Sequence, residues 1–251
     1  IDIPGFRILY EVGGGGAARG GMARIFKAER LNTREKRAIK VLREQWCART
    51  DVVEAFHREH EIMSELDHPN IVRVFPEETS RSIASEPGLH FFTLEWIEGV
   101  DLNQYVRERG PLSEQQAAAF ARTLLDAIAY LHRREIIHRD LRPANVRIQA
   151  GTGKLKLLDF GIAIKSGQGL KRDIWFNPFY MSPEHLEPAK LCPQSDIYSL
   201  GCMLFFMLTR RPPFQDPDKD RIILQHCHAE RRPPSYYNLL IRKEMDRAVL
   251  R

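Results

Sequence analysis

HRDLRPAN, residues 138–145, and DFG, residues 159–161, are the stretches on which the reading of this chain turns. The second follows directly on KLKLL, residues 154–158, an apolar run with the texture of a short strand. Together they bring two carboxylates, Asp140 and Asp159, and one carboxamide, Asn145, into neighbouring parts of the sequence. Each aspartate taken alone has an ordinary explanation as a turn or cap carboxylate. The decision rests on what the chain sets around them.

The totals limit the choices. A chain of 251 residues, 43% of them hydrophobic, can bury a substantial core in one large domain or two tightly joined ones. Its 38 basic and 33 acidic residues leave +5, spread along the sequence, so the charge reads as a solvated surface and gives no case for a nucleic-acid partner. The four cysteines, Cys47, Cys192, Cys202 and Cys227, form no C-x-x-C pair and read as reduced thiols of a cytoplasmic protein. His226-Cys227-His228 offers adjacent ligands, a poor tetrahedral set, and is expected to be ordinary helix surface. No signal peptide opens the chain, and Ile1 in place of Met suggests a piece of something longer. The most apolar run, Ile197 to Leu208, is too short to span a bilayer and reads as a buried helix.

Outward from the centre, the texture changes once. FRILYEV, ARIFKAE, RAIKVL and HFFTLEW are strand-like, and one helix interrupts them, with Asp51 and Glu54 as a capped start and Asp67-His68-Pro69 as its end. After Trp96 the pattern turns helical. Ser113 with Gln116 forms a capping box, and Ala117, Phe120, Ala121, Leu124, Leu125, Ile128 and Leu131 follow at helical spacing. A β-rich first domain, residues 1–96, therefore joins a helix-rich second, residues 97–251, in an α+β fold.

Two charges sit where apolar residues are expected. In the helix that interrupts the strands, Val52, Phe56, Met63 and Leu66 mark the inward stripe, and Glu59 lies on it. An inward carboxylate needs a cation unless it reaches water at the stripe's edge. In RAIKVL, alternation puts Lys40 on a face with Ala38 and Leu42. A Lys40–Glu59 ion pair satisfies both groups.

In this setting the sequence resembles the eukaryotic-like protein kinases. AIK (38–40), the helix glutamate, LEWIEG (94–99), HRDLRPAN, DFG, SPE (182–184) and SDIYSLG (195–201) occur in family order and spacing. GGMARIFKAE and YMSPEHL are closer to the bacterial branch. The resemblance implies a two-lobed fold with ATP in the cleft between lobes, Mg²⁺ as cofactor, and transfer of the γ-phosphoryl group to a Ser or Thr hydroxyl of a protein substrate. It assigns Lys40 to the α- and β-phosphates, Glu59 to aiming Lys40, and Asp140 to accepting the hydroxyl proton. Asn145 and Asp159, hard oxygen donors, fall at the metal positions. For the adenosine it implies Leu94 as gatekeeper, the backbones of Glu95 and Ile97 on the adenine edge, Ile25 and Ala38 as roof, and Asp101 at the ribose.

The departures from the family pattern are physically specific. Arg147 stands where the adenine floor is usually aliphatic. Its methylenes can cover a ring while the guanidinium reaches away, or it makes a polar, weaker floor. Arg142 replaces the usual Lys after the catalytic Asp, and Asn177 the usual Thr before SPE. Either the two re-form that contact as a pair, or both mark relaxed catalytic constraint. Pro143 favours a Ser/Thr acceptor. Between Asp159 and Glu184 there is no threonine; the serines are Ser166 and Ser182 and the tyrosine is Tyr180. Asp173 holds the usual phosphate position, either standing in for a phosphate opposite Arg139, which would make the enzyme active without loop phosphorylation, or as a solvated loop residue. The family's last helix, and the arginine that pairs with Glu184, would lie past Arg251.

The glycine-rich run needs a register. Counting back from Arg24-Ile25-Phe26, the family's phosphate loop falls on Ala18-Arg-Gly20-Gly21-Met-Ala23, with alanine in place of its outer glycines, which favours φ > 0 poorly. Gly13 to Gly16 are then an insertion; the rival register starts the loop at Gly13. These substitutions keep alive a pseudokinase that serves as a nucleotide-binding scaffold, and a small-molecule kinase ranks below it.

Overall fold

The computed structural model describes residues 1–12, 22–80, 88–160, 163–165, 177–187 and 191–250. The chain divides into two compact units, Ile1–Glu98 and Gly99–Arg251.

The first unit is built on strands β1 (Phe6–Val12), β2 (Ala23–Arg30) and β3 (Lys36–Leu42), a short α1 (Glu44–Cys47), the long α2 (Thr50–Ser64), then β4 (Val74–Thr79) and β5 (Phe91–Glu95). The strands form one antiparallel sheet in the order β1-β2-β3-β5-β4. Its register sorts the side chains by face, because directly paired residues of antiparallel strands point the same way. Phe26 pairs with Ile39, and Val41 with Phe91; these close a core with Ile3, Phe6 and Ala28. The opposite face carries Ile25 paired with Lys40, and Ala38 paired with both Lys27 and Leu94. α2 covers part of that second face, its Phe56 ring lying 5.0 Å from Phe92.

Local details depart from the sequence expectations. The N-cap of α2 is Arg49, with no side-chain cap, so Asp51 belongs to the first turn. Asp51 receives the guanidinium of Arg49 at 2.7 Å. β4, which contains Pro76, was not legible as a strand. It lies at the sheet's edge, where a missing N–H costs no ladder bond.

The second unit begins with β6 (Gly99–Asp101) and α3 (Leu102–Arg109). It continues through α4 (Glu114–His132), β7 (Ile136–Ile137), β8 (Val146–Gln149), β9 (Leu155–Leu157) and β10 (Ile164–Lys165) to α5 (Pro193–Thr209), α6 (Lys219–His228) and α7 (Lys243–Leu250). Small antiparallel ladders, β6-β8-β9 and β10-β7, lie among the helices. Gly99 is required at the first of them. Its φ is +141°, and an added Cβ would fall 2.0 Å from the carbonyl oxygen of Ile148.

Ser113 caps α4 by accepting from the N–H of Gln116 at 3.2 Å. The return half of the box is not made, because the Gln116 amide donates to the Tyr105 hydroxyl. Ala117, Ala121, Leu124, Ile128 and Leu131 are buried as spaced, but Leu125 is exposed and Phe120 only half-buried; the stripe is narrower than the sequence suggests. α5 is buried along most of its length, with Gln194 and Ile197 exposed. No described helix is long and apolar enough to cross a membrane. A β-rich first unit and a helical second one form the α+β arrangement that the family resemblance implies.

Candidate active site

In the first unit the helix and sheet bring two charges together out of water. Glu59 projects from α2 and is 4% exposed; Lys40 projects from β3 and is 12% exposed. Lys40 Nζ meets Glu59 Oε1 at 2.5 Å, a charge-assisted hydrogen bond. Neither group would be stable there alone. Removing one partner of a buried pair costs about 3–5 kcal/mol, because the other charge stays desolvated. The expected pair is therefore present, and the edge-of-stripe alternative is excluded by the burial of Glu59.

Ile25, Ala38 and Leu94 share the sheet face of Lys40. Ala23 opens β2 opposite Leu42. Glu95 spends its N–H on the Arg73 carbonyl at 2.9 Å, so a ligand contact by its backbone would use the carbonyl. Ile97 is buried. Ala18, Gly20 and Gly21 lie outside the described residues, as do Gly13 to Gly16, Ser166 and Asp173.

In the second unit Asp140, Arg142 and Asn145 lie on the short stretch between β7 and β8, and Asp159 follows β9. Asn145 ends a single 3₁₀ turn that begins at Pro143, where proline's fixed φ suits the first position. From there its Nδ2 donates to Asp140 Oδ2 and to the Asp140 carbonyl, both at 2.8 Å. Arg142 Nε reaches the same Oδ2 at 3.2 Å. Burial lifts the Asp140 carboxyl above the usual carboxylate range, with nearby Asp159 adding to the rise, while Arg142, His138 and the Asn145 hydrogen bond oppose it. A carboxylate of raised proton affinity that is also aimed by an amide has the properties of a general base.

Asp159 stands at φ +55°, a left-handed conformation in which aspartate is one of the better-tolerated residues. The following Phe160 is buried, and its ring packs on His138 at 4.7 Å. Asn145 and Asp159 both lie by Asp140, the first by hydrogen bond and the second near enough to raise its carboxyl. Because Asn145 directs its amide nitrogen at Asp140, its Oδ1 is the end left to face a cation. Two oxygen donors suit Mg²⁺ that completes its shell with water and phosphate. No cluster of three or more His, Cys, Asp or Glu able to hold a metal occurs among the described residues.

Arg142 and Asn177 do not re-form a contact. Asn177 Oδ1 accepts from the N–H of Phe179 at 3.0 Å, while Arg142 turns to Asp140. Asp101 caps α3, accepting from the Gln104 N–H at 2.8 Å, and so has a structural duty beside any ribose contact. The Arg147 guanidinium donates to the Gly99 carbonyl at 2.6 Å, which folds the head away along β6 and leaves the methylenes as the part able to cover a ring.

The residue that sequence reading underused is Asp196, on the first turn of α5. It is fully buried. Its carboxylate accepts the backbone N–H groups of His138 and Arg139, each at 2.9 Å, and His132 Nε2 at 2.8 Å. The available signal was akin to the one that found Glu59, a carboxylate among apolar residues: Asp196 directly precedes the apolar run Ile197 to Leu208. His226 was placed on a helix surface and is instead 2% exposed. Its Nδ1 shares a hydrogen bond with the Tyr198 hydroxyl at 2.7 Å, and burial lowers its pKa to about 4. The four cysteines are free thiols.

Comparison with known proteins agrees with this geometry. Residues 15–245 match the family described as protein kinase domain. The serine/threonine-protein kinase PrkC of Bacillus subtilis (strain 168) is 31% identical over 249 residues, 98% of this chain and 37% of the relative. PkaA of Streptomyces coelicolor, named a serine/threonine-protein kinase, is 38% identical over 203 residues, 79% of this chain and 36% of the relative. The serine/threonine-protein kinase PknB of Mycobacterium leprae is 32% identical over 236 residues, 92% of this chain and 38% of the relative. The chain thus spans under two-fifths of the length of these curated relatives.

Proposed function

The chain belongs to the protein kinase domain family, and from that premise we propose that it transfers the γ-phosphoryl group of Mg-ATP to a Ser or Thr hydroxyl of a protein. The observation that carries this reading is the setting of Asp140, held by Asn145 and Arg142 with its proton affinity raised by burial. In the proposed step the acceptor oxygen attacks the γ-phosphorus and forms the new P–O bond. The bond to the β-phosphate oxygen breaks, ADP leaves, and the hydroxyl proton passes to the Asp140 carboxylate. Lys40, fixed by Glu59, holds the α- and β-phosphates, so the transferred group is presented in one orientation. Mg²⁺, held by Asn145 and Asp159, would neutralise charge on the phosphate oxygens. The names of the relatives support a Ser/Thr acceptor, as does Pro143.

The proposal includes Asp173 as a built-in substitute for an activation phosphate. Asp173→Asn is expected to lower the rate severalfold in protein free of loop phosphate; an unchanged rate removes that part. The test of the whole reading is transfer of radiolabelled γ-phosphate from Mg-ATP to casein. Asp140→Asn should abolish it, a loss of about a thousandfold or more for a general base, while nucleotide binding persists. Absence of transfer by the parent protein with ATP binding intact would favour the scaffold reading, which draws its support from Arg142 occupying the same Asp140 oxygen that Asn145 holds.

A further inference from the structure

Arg139, the residue before Asp140, stands at φ +70° and is buried. A side-chain-bearing residue enters this left-handed region at an energetic cost, and stays there only where its surroundings over-determine it. The hydrogen bonds identify what does so. On the N-terminal side, Asp196 accepts the N–H groups of His138 and Arg139. On the C-terminal side, the Arg139–Asp140 peptide is held at both of its polar ends by imidazoles. Its N–H faces Nδ1 of His138 at 3.3 Å, and its carbonyl faces Nε2 of His185 at 3.1 Å.

The second imidazole comes from a different part of the sequence. His185 lies in the 3₁₀ turn Pro183–Leu186, directly after the SPE motif. Its Nδ1 receives the N–H of Ser182 at 3.1 Å, with the Ser182 hydroxyl 2.9 Å away. Ser182 is fully buried and His185 nearly so. A ring nitrogen that accepts an N–H carries no proton, so the neutral ring must carry its proton on Nε2 and donate it to the Arg139 carbonyl. Burial lowers the pKa of His185, which favours the same neutral form.

We propose that His185 is a positioning residue. As a neutral Nε2–H imidazole it locks the Arg139–Asp140 peptide plane, and through it the aim of the Asp140 carboxylate, to the turn after SPE. Asp196 fixes the entry to the strained residue; His185 fixes its exit. The proposal rests on the kinase reading above for the role of Asp140, but the tautomer it requires does not.

Two substitutions and one spectrum test it. Glutamine can accept from Ser182 with its carbonyl and donate to Arg139 with its amide. Methionine fills a similar volume and does neither. With radiolabelled Mg-ATP and casein, His185→Met should lower kcat about thirtyfold or more at a temperature well below its measured Tm, with KM for ATP within twofold. His185→Gln should stay within threefold of the parent kcat. Retained activity in the methionine variant, or equal loss in both variants, would overturn the proposal. Nitrogen-15 correlation spectra of the His185 ring give a result even if the methionine variant does not fold. The Nε2–H tautomer is expected, and the Nδ1–H tautomer or an imidazolium at neutral pH would overturn the proposal. A parent protein without transfer defeats the kinase reading instead, and the spectrum still judges the contact.

Discussion

The two units hold their buried polar groups by opposite means. In the first, charge is met by charge. Lys40 pairs with Glu59, Arg37 with Glu78, and Glu29 with Arg7, Arg34 and Lys36. In the second, charge and strain are met mainly by neutral donors and acceptors. Asp196 is satisfied by backbone N–H groups and a histidine, the Arg139–Asp140 peptide lies between two imidazoles, and His226 shares a hydrogen bond with the Tyr198 hydroxyl. The lesson concerns what each device tolerates. An ion pair fails when one partner is removed or protonated. A neutral imidazole network fails when a proton is added, and imidazole takes a proton at a higher pH than a carboxylate does.

The largest effect expected from this contrast is at Asp196. Asp196→Ala leaves two backbone N–H groups and a histidine donor without their buried acceptor. At about 1–3 kcal/mol for each orphaned group, a loss on the order of 4 kcal/mol is expected, confined to the second unit. Hydrogen exchange resolved by unit measures it; equal loosening of both units would break the comparison.

Acid gives the next effect, and its sign follows from the shifts. His226 is held neutral by burial, its pKa lowered from 6.5 to about 4, and His185 is lowered in the same direction by the same cause. Between those values the unfolded chain binds the proton and the folded one does not. The stabilisation from His226 is therefore complete above pH 6.5 and is lost as pH falls toward 4, and that from His185 has the same sign. For His226 this amounts to about 3 kcal/mol. The first unit also has a histidine shifted the same way, the half-buried His90, but its carboxylates respond later. Glu29 is lowered from 4.5 to about 2, chiefly by hydrogen bonds from Lys36 and Arg34, so its contribution persists above pH 4.5 and fades as pH falls through 2. Exchange rates followed from pH 7 to 3 should show the second unit loosening first. The reverse order would overturn the contrast.

Lys40→Met should cost about 2 kcal/mol in the first unit, somewhat less than a fully buried pair because Lys40 keeps partial exposure. Adding Glu59→Leu removes the stranded carboxylate and should recover most of that stability in urea titrations, without restoring transfer. Recovery of both would mean that the pair serves the fold alone. The smallest effect is expected at Arg147. Arg147→Leu gives up the hydrogen bond to Gly99, a change under about 1 kcal/mol, and should leave KM for ATP within about twofold if the methylenes already form the floor; a several-fold lower KM would mean that the floor is polar.

Much of the site was legible because its residue types are chemically required and stand in order. Lys40, Glu59, Asp140, Asn145 and Asp159 could be named from sequence, and the Lys40–Glu59 pair followed from faces alone. The failures have a common cause. Asp101 and Asp51 are both acidic residues at helix starts, yet only Asp101 is the cap, because the first turn of α2 begins a residue earlier and places Asp51 inside it. Leu125 matches the helical spacing but is exposed, since spacing says which residues share a face and not how wide a face is covered. Arg142 and Asn177 were legible as linked departures, but each finds a nearer partner in the fold.

The sequence by itself determined the family, the succession of a β-rich part and a helical part, and the candidate side chains that its motifs carry. These depend on short-range patterns: strand alternation, helical spacing, and motifs whose members lie within a few residues. Tertiary structure alone decided which buried groups satisfy one another. Asp196 and Arg139 are 57 residues apart, and His185 and Arg139 are 46 apart. Nothing local marks such partners, because a buried hydrogen bond is chosen by where packed elements leave a donor and an acceptor face to face, and that is fixed only when the chain has closed around them.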